Sequence, residues 1–278
     1  MDFNVNIDKI LERKLLLISF NAIQFSIFDI PGYLFFCLLA LIIGIGVFII
    51  LISIKKYSLN QNIVMLFISL LSMIIFAKLF GFLSGVYRDI GLGITISWDG
   101  VLNTGIVFYG GLIGLLISYA ICVKVTKQDK HIIDVVAVCI PLFHSIARIG
   151  CFVGGCCFGI ESRSNFVINY TTVVFDKVVT AHRIPVQLIE AAFNFFLFLY
   201  LLFFFSKDNW KQKNILRRYL LIYSIGRFII EFWRGDLVRG VLFGISFSQV
   251  ISMIIWIYLL STYIKSKINS TIKKELAV

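Results

Sequence analysis

Charge is scarce in this 278-residue sequence: Asp, Glu, Lys and Arg supply 15% of it, against about 25% in an ordinary soluble domain. Histidine is limited to three residues and proline to three. No phosphate-binding glycine loop, dinucleotide fingerprint, internal repeat or low-complexity tract is present. What abounds is apolar surface, with 59% hydrophobic residues and 28 phenylalanines. One core of this size does not hide them all, so lipid must cover many. This balance excludes a soluble enzyme, a secreted disulfide scaffold and a disordered chain. A net charge of +11 would suggest nucleic acid in a soluble protein. Here no nucleic-acid partner is expected, and the question becomes where the positive charges sit.

A helix needs about 20 mainly apolar residues to cross a bilayer. Seven stretches qualify: Pro31–Ile54, Asn62–Leu83, Asn103–Val123, Ile132–Gly150, Pro185–Phe205, Ile215–Phe232 and Val241–Ile264. Backbone left unsatisfied in lipid is too costly for anything but helix here. The expected fold is therefore an all-α integral membrane protein of seven transmembrane helices. Residues 31–264 form the membrane domain. Residues 1–30 read as an interfacial segment, since no small-residue cleavage pattern leads into the first span. Residues 265–278 form a basic tail.

Sorting the 26 basic residues orients the chain. Fourteen follow spans one and three, surround the start of span six, or lie in the tail. Nine lie on the other side. The positive-inside rule puts the larger group in the cytoplasm, with the N-terminus outside and the C-terminus inside. Three cations remain, Lys78, Arg148 and Arg227, each inside a span. A cation at the bilayer centre costs about 2.5–3.5 kcal/mol or more, so it faces a partner or a wet cavity. Glu190 and Glu231 are the matching intramembrane acids.

Helical spacing brings these groups together near the outer ends of their spans. Tyr223, Arg227 and Glu231 form one stripe, His144 and Arg148 are four apart, and Gln187, Glu190 and Asn194 share a face. Structural salt bridges are the plain explanation for any one pair. Three cations against two acids at one depth argue instead for an anionic ligand, and in an outer-leaflet cleft that anion is a phospholipid phosphate.

Four ordered motifs carry a resemblance. They are Trp98-Asp99-Gly100 before Tyr109-Gly110-Gly111-Leu112-Ile113-Gly114; Arg148-x-Gly-x-Phe with Gly159; Pro185-x-Gln187-Leu188-x-Glu190; and Tyr223-x-x-x-Arg227-x-x-x-Glu231 followed by Arg234. Across roughly residues 62–252 the chain resembles the prolipoprotein diacylglyceryl transferase family. The resemblance implies a bacterial cytoplasmic-membrane enzyme with its active site toward the outer leaflet. The partners implied are phosphatidylglycerol, the lipobox peptides of preprolipoproteins and membrane lipids. Diacylglyceryl would pass to the lipobox cysteine thiol, releasing glycerol phosphate. By the family pattern Arg148 and Arg227 bind the phosphate, Glu190 and Glu231 orient them, and Gly159 matches a functional glycine. Gly110, Gly111, Gln187, Tyr223 and Arg234 support the substrate, and Lys78 stands where the family usually has an arginine. No metal or organic cofactor is implied.

The sequence departs from the family at three further places. Tyr109 replaces the usual histidine, and a phenol, with a pKa of about 10, is a poorer base than imidazole at about 6.5. His144 is the other candidate base, or else a packing histidine. Cys151 and Cys156 replace the usual asparagine and glutamate. With Cys157 they form a C-x4-C-C run that is no ordinary zinc pattern. A disulfide from Cys151 to Cys156 or Cys157 is the favoured expectation; packed thiols and an acyl-carrying cysteine are the others. Two rival functions remain, a paralogous lipid-group transferase with another acceptor and a non-catalytic lipid binder or transporter. A transporter would be expected to show paired repeats.

Overall fold

The computed structural model describes residues 19–21, 26–27, 30–96, 98–102, 104–164, 166–174, 177–235 and 240–275. The interfacial segment expected over 1–30 lies largely outside these residues, as do Asp236 and Arg239 of the connection between the last two expected spans and the end of the basic tail.

Among the described residues there are seven long helices: α1 (Gly32–Ile54), α2 (Leu59–Gly91), α4 (Phe108–Val125), α5 (Ile132–Val153), α6 (Val186–Phe205), α7 (Ile215–Ile230) and α8 (Phe247–Glu275). A one-turn helix, α3 (Trp98–Leu102), precedes α4. Six of the seven are long and apolar enough to cross a membrane. The exception, α7, has 16 residues and is prolonged by a 3₁₀ turn, Glu231–Trp233. Ile42, Phe67, Ile75, Phe196 and Ile257 are each more than half exposed on outward faces, the signature of a surface solvated by lipid rather than water. The protein is a multi-pass membrane protein.

The helix ends follow local chemistry. Lys56 and Lys127 take left-handed conformations just beyond α1 and α4, closing the last turns where glycine is commonly found. The third span begins later than the apolar run suggests, because residues 104–107 form no helix and Val107 is extended just before Phe108. The last span likewise begins at Phe247. Residues Val241–Leu242 (β6) and Ile245–Ser246 (β7) pair as a hairpin around Phe243 and Gly244, both at positive φ.

The long connection between α5 and α6, expected as a loop, carries strand structure. Strands β4 (Ile168–Val174) and β5 (Lys177–Arg183) form an antiparallel hairpin, and β1 (Ser19–Asn21) joins β4 in parallel. A second short pair links β2 (Ser26–Ile27) and β3 (Ile30–Pro31). Thr171, Thr172, Val178, Val179 and Thr180 are β-branched and fit a pleated surface.

Helix packing leaves a seam. Helix α5 is the most enclosed element, held by α1 on one side and α6 on the other, while α2 pairs with α4. The α2–α4 contact is close because glycines face it. A Cβ on Gly110 would stand 2.4 Å from the Phe76 carbonyl oxygen, and one on Gly114 2.6 Å from Phe76 Cβ. Small residues at this spacing let backbones approach in a medium that offers no hydrophobic drive. By contrast α1 scarcely touches α2, and α4 scarcely touches α5.

Candidate active site

The seam holds a cavity of about 900 Å³. Its walls are apolar side chains of α1, α2, α4 and α5, running along α1 from Tyr33 to Phe48, about 22 Å at the helical rise. Its polar head is formed by His144, Arg148, Cys151, Cys156, Cys157, Glu161 and Arg183. A volume near the upper end of small-ligand sites, apolar along its length and cationic at its head, suits an anionic amphiphile.

Behind the head lies a buried ion network. Glu190, on the second turn of α6, faces Arg148 Nη2 at 3.0 Å through Oε1 and Arg227 Nη1 at 3.6 Å through Oε2. Glu231 faces Arg227 Nη2 at 2.5 Å. Arg148, Glu190 and Arg227 are all but fully buried. Arg234 acts electrostatically on both Arg148 and Glu190. Three arginines against two glutamates leave one surplus positive charge. The third cation beside these acids is Arg234, where Lys78 was expected.

Lys78 stands apart from this network. Its Nζ donates to the carbonyls of Leu102 and Thr104 at 2.7 and 2.9 Å. The end of α3 and the non-helical stretch before α4 present these carbonyls, and the ammonium satisfies them. The nearby backbone is tight enough that a Cβ on Gly81 would lie 2.1 Å from the Gly105 carbonyl.

The two candidate bases are both engaged. Tyr109 is buried, and its hydroxyl pairs with Ser252 Oγ of α8 at 2.7 Å, while the cavity's α4 wall is Phe108, Gly111, Leu112 and Leu115. His144 lies flat on Phe108, with centroids 3.7 Å apart, and its Nε2 accepts from Arg148 Nε at 3.1 Å. That bond requires the lone pair at Nε2 and the proton at Nδ1. Protonating Nε2 would set it against the guanidinium.

The remaining predicted residues hold the frame. Tyr223 packs its ring against Phe108, Tyr109, His144 and Tyr219. Gln187 Nε2 donates to the Cys156 carbonyl at 2.9 Å, fastening the cysteine turn to α6. Gly111 lines the cavity and Gly110 packs on α2. Gly159 bridges Arg234, and a Cβ there would stand 2.2 Å from the Ile184 carbonyl. Close backbone approach explains that glycine.

The expected disulfide is absent: none of the six cysteines is bridged. The turn brings the sulfurs of Cys151, Cys156 and Cys157 within 4.8 Å of one another, contact rather than bonding distance. Two groups of site residues escaped the sequence reading. Ser248 and Ser252 receive Arg227 Nη2 (3.3 Å) and Tyr109; their signal was a four-residue polar spacing in an apolar helix. Arg183 heads the cavity beside Glu161 (2.9 Å), over the Phe158 ring.

A family model described as prolipoprotein diacylglyceryl transferase matches residues 21–265. The chain is similar to the phosphatidylglycerol–prolipoprotein diacylglyceryl transferase of Clostridium tetani, 35% identical over 153 residues that cover 55% of this chain and 60% of that protein. Clostridium perfringens has a second protein of that name that is 34% identical over 175 residues, 62% of each chain. That of Campylobacter hominis is 26% identical over 274 residues, 92% of this chain and 94% of its own. The first two alignments span about three fifths of the relatives' own length. With this family model matching most of its length, the chain belongs to the prolipoprotein diacylglyceryl transferase family.

Proposed function

We propose that the protein transfers diacylglyceryl from phosphatidylglycerol to the lipobox cysteine thiol of preprolipoproteins. The observation that carries this reading is the cavity, apolar along its length and headed by Arg148 with the buried Glu190–Arg227–Glu231 network behind it. In the proposed orientation seven helices span the membrane, the N-terminus is outside, and the polar head lies in the outer leaflet.

The acyl chains occupy the seam between α1 and α2. Moving a methylene from lipid to a polar site would lose about 0.8 kcal/mol, so an apolar wall keeps the transfer from the bilayer nearly neutral. Arg148 holds the headgroup phosphate, with Arg227 and Arg234 adding positive charge behind it. Glu190 fixes both guanidinium groups of Arg148 and Arg227 before substrate arrives. The acceptor sulfur attacks the glycerol carbon that bears the phosphate ester. The acceptor thiol gives up its proton to water, a C–S bond forms, the C–O bond breaks, and the electron pair leaves on the phosphate oxygen. Charge grows on that oxygen in the transition state, where preorganised cations are worth most. The sulfur-lined head favours one rival, a related lipid-group transferase with a different acceptor.

The test is mass spectrometry of a lipobox peptide incubated with purified protein and phosphatidylglycerol. A diacylglyceryl thioether on the cysteine is the expected product. An unmodified peptide, with the lipid bound to the protein, would refute the reading.

A further inference from the structure

Cys151 lies on the last turn of α5, and Cys156 and Cys157 lie in the turn that follows Gly154 and Gly155. Gly155 and Cys157 both have positive φ, and this bend folds the later two sulfurs back over the first. For Cys157 that conformation costs on the order of 1–2 kcal/mol. It is held by three clamps from two elements, α6 and β4. Gln187 Nε2 donates to the Cys156 carbonyl at 2.9 Å, Thr172 Oγ1 to the Gly155 carbonyl at 2.7 Å, and the Tyr170 hydroxyl to the Phe152 carbonyl. All three sulfurs lie within 4.8 Å of one another, and all three residues line the cavity.

A tetrahedral zinc ion with Zn–S bonds of about 2.3 Å holds its thiolates about 3.8 Å apart. The observed spacing is within about 1 Å of that arrangement. Three thiolates on a dication leave one negative charge, and Arg148 Nη1 stands 3.8 Å from Cys151 Sγ to balance it. Three protein ligands leave the fourth position open, as in catalytic rather than structural zinc sites.

We propose that Cys151, Cys156 and Cys157 form a zinc site at the cavity head, whose fourth position takes the acceptor cysteine as a thiolate. The acceptor half rests on the proposed transferase reading. It answers a gap in the site, because Tyr109 is tied to Ser252 and His144 accepts from Arg148. Zinc makes a base on the protein unnecessary. As the Zn–S bond forms, the acceptor's proton passes to water at the cavity mouth, since a coordinated thiol is deprotonated outright. The bound thiolate then attacks the glycerol carbon, and the leaving pair goes to the phosphate beside Arg148. The product thioether is neutral, a weaker ligand than thiolate, and departs. No oxidant or reductant takes part.

The experiment uses the full chain purified in nanodiscs without chelators. One zinc per chain by elemental analysis is expected, together with thiolate-to-cobalt charge-transfer absorption after cobalt replaces it. Cys151→Ser, Cys156→Ser and Cys157→Ser should each lose both signals, while Cys122→Ser keeps them. Chelation of the intact protein, which needs no variant to fold, should lower thioether formation by about tenfold or more, and zinc should restore it. Substoichiometric zinc, bound copper instead, or two of the three thiols blocked to alkylation in denaturant without reductant would overturn the metal site. Full transfer by zinc-free protein would overturn the acceptor half and leave the transferase reading standing. Zinc-loaded protein with the cobalt signal but no thioether would sink the transferase reading, and the acceptor half with it, while supporting the metal site.

Discussion

Glu190 is the anion on which the site's architecture turns. It is 1% exposed and faces two guanidinium groups, Arg148 at 3.0 Å and Arg227 at 3.6 Å. Glu190→Gln keeps the volume and removes the charge. Arg227 still has Glu231 at 2.5 Å, but Arg148, 4% exposed, loses its carboxylate. Removing one partner of a buried pair costs about 3–5 kcal/mol, because the other charge stays buried. At about 2–4 °C per kcal/mol for a chain of this size, the melting temperature should fall by about 6–20 °C. Scanning fluorimetry in nanodiscs reads this directly. The double variant Glu190→Gln/Arg148→Met should recover much of the loss, since the stranded cation is gone. A Glu190→Gln protein melting within about 2 °C of the parent, with no recovery in the double variant, would show that Glu190 does not hold the arginines.

Four further outcomes follow from the geometry. Arg227→Ala should abolish thioether formation while the protein still inserts, whereas Tyr109→Phe should retain transfer, because the Tyr109 hydroxyl serves Ser252; product assays on both variants check this. Gly159→Ala should lower the melting temperature and disturb the Arg234 bridge, since its Cβ would meet the Ile184 carbonyl at 2.2 Å. Gly114→Leu should separate α2 from α4 and reduce the yield of folded protein, read by size-exclusion chromatography. Between α4 and α5, burial raises the Asp129 carboxyl, but hydrogen bonds from Lys211, the His131 N–H and Tyr57 outweigh it and leave it lowered to about 2. A lowered carboxylate stabilises the fold above its ordinary pKa of 3.8 and loses that contribution as pH falls toward 2. Asp129→Asn should therefore cost up to about 1 kcal/mol at pH 7, Lys211 being half exposed, and the gap from the parent should close as pH falls from about 4 to about 2.

Apolar length and intramembrane charge made most of this legible. Arg148, Arg227, Glu190 and Glu231 announce themselves because no charge sits in a span without a partner, and their four-residue spacing fixes the face they share. Lys78 announces itself equally, but its partners are the carbonyls of Leu102 and Thr104. Which carbonyls a connection leaves open depends on where α4 begins, and apolar length alone does not show it. The hairpin of residues 168–183 was expected as a loop; its Val and Thr residues suit a strand, but strand pairing is decided by what the segment packs on, here the cysteine turn held by Thr172. The C-x4-C-C spacing fits no ordinary metal pattern. Two positive-φ residues bring the sulfurs together all the same, and backbone handedness of that kind is hidden at a non-glycine position such as Cys157.

The account's central claim is that the cavity headed by Arg148 carries out diacylglyceryl transfer. Its most direct test follows both products at once, thioether on the lipobox peptide and glycerol phosphate released from phosphatidylglycerol, with purified protein in nanodiscs. Equal amounts of the two, formed together and lost together in Arg148→Ala, are predicted. Glycerol phosphate without thioether, or neither product from a protein that still binds the lipid, would contradict it.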